Sequence, residues 1–131
     1  MPFKEPDVLV RTLDGRHIWV AEPMTFVTRS GETIVVPIGT TADGASIPQP
    51  LWIKLPPFGL YWRASILHDF LYRRTERPRE ECDALLLEAM ESDGVPLETR
   101  MVIYEGVRAG GAGAFAADRR RLTTAQAHRD A

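Results

Sequence analysis

"ASILHDFLYRRTERPREECDALLLEAMESDGVP", residues 64–96, holds two runs of helical periodicity separated by one proline and closed by a glycine and a second proline. In the second run Cys82, Leu85, Leu86, Ala89 and Met90 recur at i, i+3, i+4, i+7 and i+8, the apolar stripe of a helix that faces a core. Pro78 and Pro96 stand where a first helical turn tolerates proline, and Gly94 stands where a helix stops. Three helices are therefore expected, at roughly 60–74, 78–92 and 96–109.

Towards the N-terminus the pattern changes from helical to alternating. "DVLVRTL" and "HIWVAEP" flank Asp14-Gly15, a strong hairpin signal because both positions tolerate positive φ. "MTFVT" and "TIVVPIG" flank Ser30-Gly31-Glu32, and their β-branched and aromatic residues suit a half-buried antiparallel sheet. The expected architecture is α+β: an N-terminal antiparallel β-meander of hairpins followed by a three-helix C-terminal layer. Between the two lies "TTADGASIPQPLWIKLPPFG", residues 40–59, long for a connection in a compact domain and of the kind that carries function. Residues 1–110 read as one domain, and 111–131 as a loosely held tail poor in core-forming residues.

Composition narrows the function classes. Of 131 residues 44% are hydrophobic and 26% charged, which describes an ordinary globule, and a formal charge of -2 provides no field for holding a polyanion. Nucleic acid is not expected as a partner. The single Cys82 can form no internal disulfide and reads as a small buried hydrophobe. No N-terminal apolar segment resembles a signal peptide or a membrane span, so a cytoplasmic location is expected.

The first helix carries the chemistry. His68 and Tyr72 are four apart and share a face, while Asp69 points about 100° away from His68. Two adjacent side chains facing apart can serve different purposes, one taking a proton and the other binding a cation. A base histidine needs an acceptor on its far nitrogen to set the tautomer, and Asp83, at the border of the second helix's apolar stripe, is the candidate, with Glu80 in reserve. In the loop, Asp43 precedes Gly44, whose freedom in φ and ψ lets a carbonyl turn towards a hard cation. Each residue has a plainer reading too. His68 with Asp83 makes a satisfied core pair, Asp43-Gly44 a turn, and Tyr72 a core aromatic. Trp52, Phe58, Tyr61 and Trp62 read as a seal between sheet and helices, and "RTERPREE" as a solvated helix entrance with Glu80 and Glu81 at the positive end of the helix dipole. "DRRRL" is a short basic run without assigned meaning, and His17 and His128 have no companions.

Two resemblances follow from these motifs. "TADGASIPQPLWIKLPPFGLYWRASILHDFLYRR", "ECDALLLEAM" and "VIYEGVRAGG" together resemble an uncharacterised family of bacteriophages, prophages and bacterial genomes that is known only as a domain of unknown function. "DGAS", "HDFLYR" and "CDALLLEAM" also resemble the prokaryotic and fungal branch of phospholipase A2, in which an Asp-Gly-Cys-Ser loop precedes a His-Asp helix and a helix bearing an aspartate. Ala45 stands where that branch has cysteine and Leu71 where it has glycine, and the strand-rich first forty residues have no counterpart there.

The second resemblance implies that His68 activates water, that Asp83 orients it, that Asp69, Asp43 and the Gly44 carbonyl ligate calcium, and that Tyr72 supports the network. It implies ester hydrolysis, with lipid or another ester as substrate. The first implies a phage-associated protein in the host cytoplasm or on a virion. The competing expectation is a structural, accessory or host-interaction protein in which the same polar cluster only ties a loop to helices. A zinc phosphohydrolase fits less well, because His17 and His128 fall in a strand and in the tail.

Overall fold

The computed structural model describes residues 3–5, 10–12, 18–42 and 61–120. Five short strands precede the helices: β1 (Val10–Thr12), β2 (Ile18–Val20), β3 (Met24–Val27), β4 (Thr33–Val36) and β5 (Thr41–Ala42). Three helices follow, α1 (Trp62–Arg74), α2 (Arg79–Ser92) and α3 (Leu97–Gly110), and residues 112–120 form a fourth, α4. The α+β expectation holds.

Both strand pairs form, and Asp14-Gly15 lies outside the described residues. β1 pairs antiparallel with β2, Val10 opposite Val20. β3 pairs with β4 so that Met24 faces Val36 and Phe26 faces Ile34. All four of those side chains are buried and the residues between them are not, which is the alternation a one-faced sheet requires. Gly31 takes φ 91° in the turn between them, where Thr28 N–H donates to the Glu32 carbonyl at 2.8 Å.

The strands do not run on as one meander. Pro23, which has no N–H, separates β2 from β3, and a turn at Pro37–Thr40 with Gly39 at φ 86° sends the chain back onto β2. β5 therefore pairs with β2, giving one sheet of order β1-β2-β5 beside the β3-β4 hairpin. Phe3 bridges to Phe26 with ring centroids 4.8 Å apart, and Lys4 N–H donates to the Thr25 carbonyl, so Phe3 and Lys4 lie along β3.

α1 is the central element. Nine of its residues are buried, among them Ala64, Ile66, Leu67 and Leu71, because it packs on both α2 and β5. A helix buried on nearly every side must satisfy its polar groups internally. The stripe on α2 is core as expected, with Cys82, Leu85, Leu86, Ala89 and Met90 all buried. Burial also pushes the Cys82 thiol up to about 11, so it stays protonated and inert.

The two helix stops differ in mechanism. α2 ends in a Schellman motif: Gly94, at φ 77°, donates to the Glu91 carbonyl, and Val95 N–H reaches the Met90 carbonyl at 3.0 Å while its side chain is buried. α1 ends where Thr75 turns extended and its hydroxyl caps the Leu71 carbonyl at 2.6 Å. Pro78 and Pro96 sit one residue before their helices begin, with φ near -60°.

Two clamps hold the layers together. The Arg63 guanidinium grips Asp93 through two hydrogen bonds, donates to the Glu5 carbonyl at 2.8 Å and lies over the Phe3 ring. Arg73 donates to the Thr41 carbonyl at 2.9 Å, which pins β5 to α1. The chain does not come loose at residue 110. In α4 Phe115 meets Tyr72 edge-on at 5.0 Å, and Arg119 donates to the carbonyls of Leu71, Tyr72 and Arg77. The first arginine of the "DRRRL" run is thus the residue that caps the end of α1.

Candidate functional site

Asp83 is the centre of the polar cluster. α1 and α2 form an antiparallel hairpin across residues 75–78, so a position about two turns before the end of α1 lies level with one about a turn into α2. That geometry brings His68 to Asp83 across only fifteen residues. His68 Nε2 lies 2.7 Å from Asp83 Oδ1, and the Tyr72 hydroxyl donates to the same oxygen at 2.6 Å. Arg108, from α3, donates to the other oxygen, Oδ2, at 2.6 Å. The Asp83 side chain is 0% exposed and that of His68 is 1% exposed.

The electrostatics follow from those donors. Burial alone would raise the Asp83 carboxyl, but hydrogen bonds from His68, Tyr72 and Arg108 outweigh it and hold the group below its ordinary 3.8. Asp83 is therefore an anion, and an anion only accepts. In a neutral imidazole Nε2 must then carry the hydrogen, which leaves the lone pair on Nδ1, the nitrogen directed away from Asp83. Burial, reinforced by the Asp83 charge, drives the Tyr72 phenol far above its usual range, so Tyr72 remains a donor. The His68 and Tyr72 rings pack at 4.2 Å, on the shared face that their spacing implies.

The arginines are what the sequence reading missed. Arg79, assigned to a solvated helix entrance, folds inward and donates to the carbonyls of Val107 and Arg108 at the end of α3, with its Nε 3.8 Å from Asp83 Oδ2. Arg77 of the same stretch pairs with Glu32 and Glu81. Arg108 lies within "VIYEGVRAGG" and was not singled out. Its signal was available in principle, because a buried carboxylate already serving an imidazole and a phenol still has an oxygen that needs a cation. Glu80, the reserve acceptor, faces Arg108 at 3.9 Å on the surface and does not replace Asp83.

Gly111 closes the cluster. It follows α3 with its N–H bonded to the Val107 carbonyl at 2.7 Å. A β-carbon there would stand 2.6 Å from that carbonyl oxygen and 3.3 Å from the Tyr72 hydroxyl. Gly111→Ala must displace backbone to fit, and is expected to cost about 1–3 kcal/mol, read as a lowered midpoint in urea with unchanged slope.

Of the expected cation ligands, Asp69 is buried on α1, at 4% exposure. Asp43 and Gly44 lie outside the described residues, as do Ala45, Trp52, Phe58, His17 and His128. β5 ends at Ala42, immediately before Asp43, and is clamped to α1 by Arg73 one turn beyond Asp69. Among the described residues no three His, Cys, Asp or Glu side chains cluster as a metal site. Tyr61 and Trp62 are buried and meet edge-on at 6.1 Å, as a seal would. No helix among the described residues is long and apolar enough to cross a membrane.

A family model described as "Protein of unknown function (DUF1353)" matches residues 18–107, a span that runs from β2 to the last turn of α3 and includes His68, Tyr72 and Asp83. A similar protein is "Uncharacterized protein y4jT" of Sinorhizobium fredii, 36% identical over 79 residues. That match covers 59% of this chain and 24% of the relative, so the chain corresponds to about a quarter of that longer protein. No solved structure matches.

Proposed function

The chain belongs to the family of unknown function DUF1353, and from that premise we propose that it is a phage-associated, calcium-dependent ester hydrolase resembling phospholipase A2, with His68 as general base. The observation that supports this reading is the hydrogen bond from His68 Nε2 to the fully buried, anionic Asp83. It orients the ring and leaves Nδ1 as the basic nitrogen.

In the reaction, His68 Nδ1 takes a proton as the water oxygen bonds to the ester carbonyl carbon. The carbon–oxygen bond to the leaving group then breaks, and the leaving alkoxide recovers that proton from His68. The products are an acid and an alcohol, with no covalent enzyme intermediate. Asp83 keeps the tautomer through both transfers, and Tyr72 and Arg108 keep Asp83 charged.

The donor set Asp43, Asp69 and the Gly44 carbonyl is all hard oxygen, which suits calcium. Calcium bound there would polarise the ester carbonyl and stabilise its oxyanion. Substrate binding and the proton transfer fall to the residues of the chain.

A second reading has an observation in its favour. His68 is 1% exposed and the network joins three helices, which is also what a purely structural tie would do. In that case the protein is a virion, accessory or host-interaction component and hydrolyses nothing.

Calorimetric titration with calcium separates the two. The expected result is binding by the wild type, weaker response to magnesium, and loss of the heat in Asp69→Asn, together with hydrolysis of phospholipid vesicles that a chelator stops. A folded wild type that takes up no divalent ion and releases no fatty acid would sink the hydrolase reading in favour of the structural one.

A further inference from the structure

We propose that the outer edge of β4 is a self-association surface, on which a second copy of this chain lays its own β4 antiparallel across a two-fold axis. The inference is independent of the hydrolase and structural readings and holds under either. Thr28 N–H donates to the Glu32 carbonyl, which makes Thr28 and Glu32 a hydrogen-bonded pair of the β3-β4 ladder. Bonded and non-bonded pairs alternate in an antiparallel ladder. In the observed register Phe26–Ile34 and Met24–Val36 are then bonded pairs, and Val27–Thr33 and Thr25–Val35 are not. The backbone groups of a non-bonded pair point away from the partner strand.

On the β3 side those outward groups of Thr25 are taken. Its carbonyl accepts from Lys4 N–H at 3.1 Å and its N–H donates to the Glu5 carboxylate at 2.6 Å. The sheet ends at β4 on the other side, where no group among the described residues bonds to the N–H and C=O of Thr33 and Val35. Thr33 is exposed, Val35 is 50% exposed, and Ile38 just beyond the strand is 64% exposed. An open edge is a template for a further strand, and proteins commonly guard it with charge. Here β4 itself carries no charged residue, and Glu32 ahead of it is neutralised by Arg77.

The edge specifies its own complement. With Thr33 opposite Val35 of the second copy, and Val35 opposite its Thr33, every outward N–H and C=O of the two residues gains a partner. Ile34 then faces Ile34 at the two-fold axis. Neither neighbouring register does as well. One sets Thr33 opposite Pro37, which has no N–H to give, and the other sets Val35 opposite Gly31, whose φ of 91° belongs to the turn and not to a strand. Charge agrees with the choice, because Glu32 falls opposite Val36 and not opposite another carboxylate. A foreign extended peptide is selected by pockets for alternate side chains. The exposed side chains of this strand are Thr33 and Val35, which in the two-fold register form β-branched cross-strand pairs with each other. Each copy uses the same edge, so the assembly closes as a dimer.

Sedimentation velocity over a series from micromolar to millimolar chain is the test, since a contact this small belongs to the weak class. The expected result for the wild type is a mass that rises towards two chains. Val35→Pro removes an N–H that β3 does not use, so the variant should stay folded, as a thermal melt of dilute protein shows. It is expected to weaken association about 30-fold, because each copy loses one intermolecular bond. Where the proline variant fails to fold, Val35→Lys reads the same contact: it sets two ammonium groups diagonally across the axis, and the lost association should return at high salt. A wild type monomeric at every concentration overturns the proposal and leaves the edge to a strand from another protein. An association that a folded Val35→Pro or Val35→Lys leaves intact overturns it too, because the copies then meet elsewhere.

Discussion

His68→Gln is expected to lower kcat for ester hydrolysis by about 10²–10⁴-fold and to leave the protein folded, which is the span that a general base contributes. Glutamine is the informative replacement because its amide nitrogen can stand where Nε2 stands and still donate to Asp83. The variant keeps the Asp83 network and loses only the basic nitrogen on the other side of the ring. The stability cost is then about 1 kcal/mol, the worth of one rearranged hydrogen bond. Initial rates on phospholipid vesicles with calcium, beside a thermal melt, read both quantities. A rate equal to that of the wild type would remove His68 from catalysis.

The second large effect is on stability. Asp83→Ala is expected to cost about 3–5 kcal/mol, because it strands the donors of His68, Tyr72 and Arg108 where water does not reach Asp83. In a chain of this size that lowers the melting temperature by about 10–20 °C. Asp83→Asn keeps the volume and one acceptor, and should lie between the alanine variant and the wild type.

Acid gives a second handle on the same group. The Asp83 carboxyl titrates lower in the folded protein than its ordinary 3.8, so its contribution is complete above that value and fades as pH falls through the folded value. The wild type should therefore lose stability more steeply below about pH 4 than Asp83→Asn, which has no carboxyl there to protonate. Denaturant midpoints at a series of pH values decide this. Parallel acid profiles for the two proteins would mean that Asp83 is not the group whose charge holds the helices.

Some of this was legible before any coordinates. The i, i+3, i+4 stripe of α2, the prolines ahead of α2 and α3, the glycine after α2 and the glycine turn between β3 and β4 are local signals, set by the geometry of a single turn. The joint face of His68 and Tyr72 follows from helical spacing in the same way. The choice of Asp83 as the partner of His68 could be made because a carboxylate beside an apolar stripe has few ways to be satisfied.

Other features depend on residues far apart in the chain. Arg108 reaches Asp83 across twenty-five residues, Arg119 caps α1 from forty-seven residues away, and β5 passes over its sequence neighbour β4 to pair with β2. An arginine in the sequence looks alike whether it meets water or the open end of a helix. Charged residues were read as surface for that reason, and α4 as tail.

By itself, then, the sequence determined the first three helices, the strand pairs and the neighbourhood of His68, because period and turn chemistry act over a few residues. Only the tertiary structure decided which cation completes Asp83, which strand joins β2 and how α4 docks. Those choices arise when the packed helices remove water from a carboxylate and from helix-end carbonyls, and each buried group must then find its partner wherever the fold has brought one.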